Sequence, residues 1–92
     1  MVNITVDLLP PFSSYTKDRQ IKIVLQDNTK FIDLIRQLID SYPQMQEMIP
    51  DLNDENVFYS NVFPVLNNRL ARQDEILNDG DKIILCGAVT GG

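Results

Sequence analysis

The sequence predicts an α+β fold in which one main helix packs across a mixed sheet of about five strands. Apolar and polar residues alternate in two early segments, as they do in strands with one buried face, and the period then changes to that of an amphipathic helix. Short apolar segments separated by turn residues follow the helix. With 92 residues, 43% of them hydrophobic, the chain is expected to form a single domain over residues 1–92.

The first strand is predicted at Val2 to Leu8, where every second residue is apolar. Pro10 and Pro11 end this strand, because neither can donate a hydrogen bond to a neighbouring strand. The polar stretch Ser13 to Asp18 is expected to be a loop, and Gln20 to Gln26 is predicted as the second strand. The two strands are expected to pair as an antiparallel hairpin.

A helix is predicted from Phe31 to Tyr42, because the apolar residues of this segment recur at spacings of three and four. Thr29 is the expected N-cap residue. Pro43 disfavours helical geometry at the residue before it and so marks the end of the helix. One further short helical turn is expected around Met45.

The second half of the chain is predicted to supply the remaining strands. The polar and acidic stretch Asp51 to Asn61 is expected to be a loop. A strand is predicted at Val62 to Leu66, followed by a turn at Asn67-Asn68 and a short return strand at Arg69 to Arg72.

The last strand is expected at the centre of the sheet. It follows a turn at Asp79-Gly80-Asp81, and its residues Lys82 to Cys86 are nearly all apolar, as in strands that are buried on both faces. If this strand lies beside the first, the helix connects the two halves of the sheet. That arrangement is the β-grasp, or ubiquitin-like, fold.

The composition excludes several classes of function. The formal net charge is −5, from 8 basic and 13 acidic residues with no recognisable basic stripe, so nucleic acid is not an expected partner. One cysteine and no histidine exclude a disulfide framework, a Cys/His zinc site and a catalytic dyad that needs imidazole. Because neither a membrane-spanning segment nor the basic flank of a signal peptide is recognised, we expect a cytoplasmic protein without membrane association.

The segment Ala88 to Gly92 is predicted to be a flexible tail that carries the function. Glycine has no Cβ, so Gly91 and Gly92 can pass through a narrow channel. Five extended residues reach about 17 Å, enough to enter the active site of a partner while the domain stays outside. A carboxylate at Gly92 could be adenylated by ATP in another protein and then exchanged for sulfur.

In these features the chain resembles the MoaD/ThiS family of sulfur-carrier proteins. The resemblance rests on Ser41-Tyr42-Pro43, Val65-Leu66-Asn67-Asn68, Asp79-Gly80-Asp81 and Val89-Thr90-Gly91-Gly92. The Tyr-Pro pair, the chain length and the Val-Thr-Gly-Gly ending are most similar to MoaD, the small subunit of molybdopterin synthase. Gly87-Ala88-Val89 is similar to the branch of the family that serves thiamine synthesis.

The resemblance implies a carrier subunit rather than an enzyme. An adenylating enzyme of the MoeB/ThiF type would use MgATP to activate Gly92, and the resulting thiocarboxylate would deliver sulfur to a MoaE-like large subunit of molybdopterin synthase, or to an equivalent acceptor enzyme. No bound cofactor or metal is expected. The alternatives are a ThiS-like carrier for thiamine or another sulfur pathway, a ubiquitin-like modifier joined to lysines, and an adaptor that uses no terminal chemistry.

The partner is expected to dock near the tail, on the sheet face away from the helix. The predicted docking residues are Leu8, Leu70 and Cys86 on three strands, with Val89 and Thr90 in the tail, since an exposed apolar patch on a small acidic domain often marks a protein partner. Leu85 is the alternative to Cys86 on the last strand, although a place in the core is favoured for it. Cys86 is interpreted as a small buried residue. A reactive thiolate needs exposure and a positive neighbourhood, which a position inside an apolar strand does not provide.

Overall fold

A computed structural model describes residues 1–88, which fold into a five-stranded mixed sheet with the helices packed on one face. The strands are β1 (Val2–Leu8), β2 (Gln20–Leu25), β3 (Val62–Leu66), β4 (Arg69–Leu70) and β5 (Lys82–Gly87). The helices are α1 (Phe12–Thr16), α2 (Phe31–Ser41) and α3 (Glu55–Asn61), with a 3₁₀ turn at Pro43–Glu47. This is the predicted α+β, ubiquitin-like β-grasp fold. Of the predicted tail, only Ala88 lies within the described residues.

The strand order is β2-β1-β5-β3-β4, so the last strand occupies the centre of the sheet as predicted. The strands β1 and β2 form the expected antiparallel hairpin. The strand β5 runs parallel to β1, with Val6 opposite Ile83, and antiparallel to β3, with Phe63 opposite Cys86. Strand β5 therefore lies between β1 and β3 and joins the two halves of the sheet.

The core lies between the sheet and α2. One stripe of α2 is buried, as its spacing of three and four predicts, and it consists of Phe31, Leu34, Ile35 and Leu38. From the sheet, the alternate residues of β1 complete the core: Val2, Ile4, Val6 and Leu8. Removing this apolar surface from water is the main stabilising contribution to the fold.

Two short helices were not predicted from the sequence. In each of α1 and α3 a single aromatic residue, Phe12 or Phe58, is fully buried and anchors the helix to the core. The acidic stretch before α3 folds because the Asp54 carboxylate accepts hydrogen bonds from the N–H groups of Asn56 at 3.0 Å and Val57 at 3.3 Å. Those N–H groups have no partner within the helix, so the cap stabilises its first turn.

The start of α2 also differs from the prediction, whereas its end agrees with it. Lys30, not Thr29, is the N-cap residue, and it makes no side-chain cap hydrogen bond. The Thr29 hydroxyl instead donates to the carbonyl of Gln26 at 2.6 Å and so closes the preceding turn. At the other end Tyr42 is the C-cap residue, and the 3₁₀ turn that begins at Pro43 matches the predicted short helical segment.

Candidate functional site

The sheet face away from the helices is apolar over β3, β4 and β5. Paired residues in neighbouring strands place their side chains on the same face. Because Phe63 is opposite Cys86, and Val65 is opposite both Ile84 and Leu70, these five side chains share the open face. Phe63 and Leu70 are 43% and 51% exposed, an unusual exposure for two large apolar residues that lie close together.

A groove with a cavity volume of about 420 Å³ opens in this surface. Its lining residues are Tyr59, Val62, Phe63, Leu70, Cys86, Gly87 and Ala88. The lining is almost entirely apolar, as in sites that receive an apolar side chain or a small ligand. We call it the β5 groove, since its floor is the end of the strand from which the tail continues.

One wall of the β5 groove is Tyr59, which the sequence reasoning missed because it lies in the segment predicted as a loop. The Tyr59 hydroxyl donates to the carbonyl of Ala71 at 2.8 Å, and its ring packs edge-on against Phe58 with a centroid distance of 5.0 Å. Burial raises the pKa of Tyr59 above its usual range. The wall is therefore a fixed, neutral aromatic ring at physiological pH.

The end of β5 is held from both sides before the tail begins. The N–H of Ala88 donates to the carbonyl of Asn61, at the end of α3, over 3.0 Å. On the other side Gly87 passes close to α1, where an added Cβ would lie 2.9 Å from Cδ of Pro11. These two contacts fix the position and direction in which the chain leaves the sheet.

The structure brings together only part of the predicted docking set. Leu70 and Cys86 both line the β5 groove, as predicted. The prediction for Leu8 is wrong: it is 1% exposed and lies in the core, because it belongs to the same alternating set as Val6 and so faces the helices. Val89, Thr90, Gly91 and Gly92 lie outside the described residues.

Cys86 is half-buried rather than fully buried. It lies on the open face of β5, so only its neighbours on that face cover it. Its thiol donates to the carbonyl of Phe63 on the adjacent strand over 3.3 Å. In this position the side chain is part of the apolar groove wall and holds β3 against β5.

Next to β5, the open face over β1 is polar, and the Asp7 carboxylate there is paired. Lys82 lies 3.2 Å from Asp7, and the Gln20 side chain donates to the same carboxylate at 2.8 Å. The hydrogen bond from Gln20, together with Lys82, lowers the pKa of Asp7 below its usual range. The apolar docking surface therefore ends at β5.

The residues that the structure describes provide neither a metal centre nor a transmembrane helix. Within residues 1–88, His, Cys, Asp and Glu side chains form no group of three that could hold a metal ion. None of the helices in that range is long and apolar enough to cross a membrane. The apolar groove at the start of the tail is thus the principal candidate site.

Solved structures with the same fold come from several organisms. A Pyrococcus furiosus protein, provisionally described as subunit 1 of a molybdopterin converting factor, is 22% identical, with 97% of this chain and 100% of that one covered and a TM-score of 0.79. The small archaeal modifier protein 1 from Methanosarcina acetivorans is 20% identical, with coverages of 100% and 98% and a TM-score of 0.74.

A third structure is a complex of subunits 1 and 2 of the molybdopterin-converting factor from Helicobacter pylori. The matched chain of this complex is 21% identical, with 99% of this chain and 100% of that one covered and a TM-score of 0.61. At these identities the likeness establishes the fold. A search of curated protein sequences gave no significant match.

The sequence itself carries a family signature over nearly its whole length. The sequence model of the ThiS family matches residues 6–92, from the middle of β1 to the Gly91-Gly92 pair. That range includes the end of β1, the other four strands and the lining of the β5 groove. The chain therefore belongs to the ThiS family of β-grasp sulfur-carrier proteins.

Proposed function

We propose that this protein is the small, sulfur-carrying subunit of a molybdopterin synthase, and that Gly92 carries the sulfur as a thiocarboxylate for molybdenum or tungsten cofactor biosynthesis. The observation that carries the proposal is the coincidence of two features at the end of β5. Gly87 and Ala88 line an exposed apolar groove, and the family-matched Gly91-Gly92 pair follows four residues later. A partner that binds the groove would therefore bind only a few residues from the Gly91-Gly92 pair along the chain.

The chemistry takes place in the partners. In an adenylating enzyme of the MoeB/ThiF type, a carboxylate oxygen of Gly92 attacks the α-phosphorus of MgATP, which forms the acyl-adenylate and releases pyrophosphate. Sulfide then attacks the acyl carbon and AMP leaves. If the donor is a persulfide, its terminal sulfur attacks and a thiol cleaves the resulting S–S bond to leave the thiocarboxylate. This chain supplies the carboxylate and the docking surface.

The β5 groove is suited to the first docking step. Phe63 and Leu70 expose apolar surface beside Cys86, and their burial against a partner would release water from all three. Aromatic and large aliphatic residues at the centre of an interface commonly dominate binding free energy. The contacts of Gly87 and Ala88 fix the point at which the chain leaves the sheet, and this point lies in the groove that the partner would cover.

Two observations favour the molybdopterin pathway over the other sulfur pathways. The ending Val89-Thr90-Gly91-Gly92 and the Tyr42-Pro43 pair resemble MoaD. The fold is also shared with a chain of the Helicobacter pylori complex of subunits 1 and 2, which supports a MoaE-like acceptor for this protein. A cytoplasmic location, where ATP is available, fits this role.

The second candidate is a ubiquitin-like modifier, since the small archaeal modifier protein 1 shares the fold. A thiamine-type carrier is the third, because of the Gly87-Ala88-Val89 segment. All three use the same activated Gly92. They differ in the acceptor that receives the sulfur or the acyl group.

Intact mass spectrometry of protein purified from its native host tests the proposal. We expect a fraction heavier by the mass difference between one sulfur and one oxygen atom, with fragmentation locating the change at Gly92. A variant lacking Gly91 and Gly92 should not become adenylated. Its thermal midpoint should stay close to that of the wild type, because the last residues of most domains contribute few packing contacts.

Other outcomes would support a different function or refute the proposed one. An isopeptide bond between Gly92 and a lysine would favour the modifier. Sulfur transfer to a thiazole-forming enzyme, but not to a MoaE-like subunit, would favour the thiamine pathway. A terminus that stays unmodified with the activating enzyme and MgATP present would refute the carrier role.

A further inference from the structure

The outer edge of β2 is a second surface that the carrier function does not use. In the order β2-β1-β5-β3-β4, the sheet has two outer strands. The strand β4 has only two residues, whereas β2 has six, Gln20–Leu25. A strand of this length with an open edge offers unpaired backbone groups to another chain.

The hydrogen-bond pattern identifies those backbone groups. The N–H of Leu8 donates to the carbonyl of Arg19 at 2.7 Å, so residues 19, 21, 23 and 25 turn their backbone groups towards β1. On the neighbouring pair the N–H of Thr5 donates to Asp81 on the β5 side, which shows that Thr5 and its partner Lys22 do not bond to each other.

Gln20, Lys22 and Val24 therefore direct their N–H and C=O groups outward. Among residues 1–88, no group donates to or accepts from them. The side chains of the same three residues are exposed. The edge thus presents three sets of backbone donors and acceptors at the spacing of an added strand.

Charge distinguishes this edge from the rest of the molecule. Although the basic residues look scattered in the sequence, the segment 17–30 has four of the eight basic residues and only two of the 13 acidic ones. All four basic residues of this segment are exposed: Lys17, Arg19, Lys22 and Lys30. The edge is therefore locally basic in a protein whose net charge is −5.

The ion pairs made by basic side chains are also unevenly distributed between this segment and the rest of the molecule. Outside the segment every basic side chain has a carboxylate partner, the pairs being Arg36–Asp33, Arg69–Glu75, Arg72–Asp74 and Lys82–Asp7. Within residues 1–88, the four basic side chains of the segment 17–30 have none. Basic side chains left without intramolecular partners beside an open edge complement an acidic ligand.

From these observations we propose that the edge of β2 binds an extended acidic segment of a partner protein, which adds to the sheet as a sixth strand. Backbone hydrogen bonds to Gln20, Lys22 and Val24 supply the pairing, and carboxylates of the segment pair with Lys22 on the open face. A second copy of this chain does not meet the requirement, since two β2 edges would bring like charges together.

The structure also specifies the side chains of the segment. On the helix side of β2, Ile21 and Ile23 are only half-buried, because no further strand covers them. Apolar residues of the added strand would cover them. On the open side, beside Lys22, the added strand would carry its acidic residues. The expected segment therefore alternates apolar and acidic residues.

This edge is independent of the β5 groove. The strand β1 separates β2 from β5, the floor of the groove, which places these two strands about 10 Å apart at the usual strand spacing. The carrier could hold an acidic segment at β2 while its groove and tail engage the activating enzyme. Failure of this proposal would leave the carrier function intact, and the reverse is also true.

The test uses the full chain and a short synthetic peptide in which valine alternates with glutamate, followed by NMR amide shifts. We expect saturable binding with the largest shifts at Gln20, Lys22 and Val24, and weaker binding as salt is raised. A matched peptide with lysine in place of glutamate should not bind. Leu70→Ala, in the β5 groove, should leave binding unchanged.

Three variants separate backbone pairing from charge. Val24→Pro removes an outward N–H that β1 does not use, so it should abolish binding, whereas Val24→Ala keeps that N–H and should retain it. Lys22→Glu should weaken binding by roughly two- to tenfold through loss and reversal of one exposed pair. If Val24→Pro fails to fold, the effect of Lys22→Glu decides the question.

Four results would overturn the proposal. They are equal binding of the lysine peptide, shifts centred on Phe63 and Leu70, unchanged binding by Lys22→Glu, and a dimer of the free protein that pairs through β2. The last result, detected by analytical ultracentrifugation and by loss of the dimer in Val24→Pro, would make a second copy the occupant of the edge.

Discussion

Replacing Gly87 with alanine should destabilise the end of β5 and alter the exit of the tail. The residue has no left-handed backbone angle, so its requirement for glycine is one of space. The new Cβ would lie 2.9 Å from Cδ of Pro11 and 3.5 Å from Cε of Met48. The methionine contact is ordinary, but the proline ring is rigid and cannot yield as a flexible side chain would.

The magnitude follows from two opposing effects. Ordinary contact begins at 3.4 Å, so β5 or Pro11 must move by about 0.5 Å. Overpacking of this kind costs about 1–3 kcal/mol. Alanine also restricts the unfolded chain, which stabilises the fold by about 0.4–1 kcal/mol. We therefore expect a net loss of roughly 1–2 kcal/mol in the free energy of unfolding.

Urea unfolding measures this loss, and amide hydrogen exchange locates it. If β5 moves, the hydrogen bond from Ala88 to Asn61 lengthens and the Ala88 amide exchanges faster. Gly80→Ala is the matched control: Gly80 has φ of 87°, and the space that an added Cβ would occupy is open. That variant should lose about 1–2 kcal/mol through backbone strain alone, while local exchange at Ala88 stays as in the wild type.

A Gly87→Ala protein as stable as the wild type, or more stable, would refute the reasoning. In that case the stabilisation from restricting the unfolded chain would not be offset by overpacking, and the contact with Pro11 would not require glycine at position 87. Loss of stability without faster exchange at Ala88 would show that Gly87 supports the fold but does not set the exit of the tail.

Four further substitutions test other parts of the molecule. Leu38→Ala, at a 2% exposed position, should cost about 2–5 kcal/mol in urea unfolding, whereas Leu70→Ala, at 51% exposure, should cost under about 1 kcal/mol yet weaken binding to the adenylating enzyme in calorimetric titration. Hydrogen bonds from the backbone and side chain of Asn3 lower the pKa of Asp79. The contribution of Asp79 to stability is therefore present above the ordinary carboxyl pKa of about 3.9 and is lost as the pH falls through the lower pKa of the folded protein. In Asp79→Asn, the free energy of unfolding should depend less on pH in that acidic range. Cys86→Ala should still be loaded with sulfur, as measured by mass spectrometry. If this variant folds and binds its partner but is not loaded, the thiol takes part in the reaction.

The sheet and its main helix could be predicted because their residues repeat. In α2 the spacing of three and four extends over three turns, and every apolar residue on that stripe is buried or half-buried. In β1 the alternation covers the whole strand. One atypical residue does not hide a pattern that recurs along a whole element, so the pattern predicts both the type and the limits of α2 and β1.

Elements held by one residue could not be predicted in this way. The helix α3 contributes Phe58 alone to the fully buried core, and its cap is a carboxylate in a stretch that is polar throughout. The error at Leu8 has a different cause. Its alternation with Val6 assigns it to the buried face, whereas the prediction depended on the expected position of the first strand beside the last one, near the exit of the tail.

The position of β5 has a consequence for how the protein matures. Its pairing with β1 joins residues that lie nearly 80 positions apart, as with Thr5 and Lys82. Contacts between such distant segments form late in folding, because a long loop must close first. The centre of the sheet is therefore completed only when the last strand is in place. An enzyme that recognises both the groove and the residues after β5 would accept finished molecules and ignore incomplete ones.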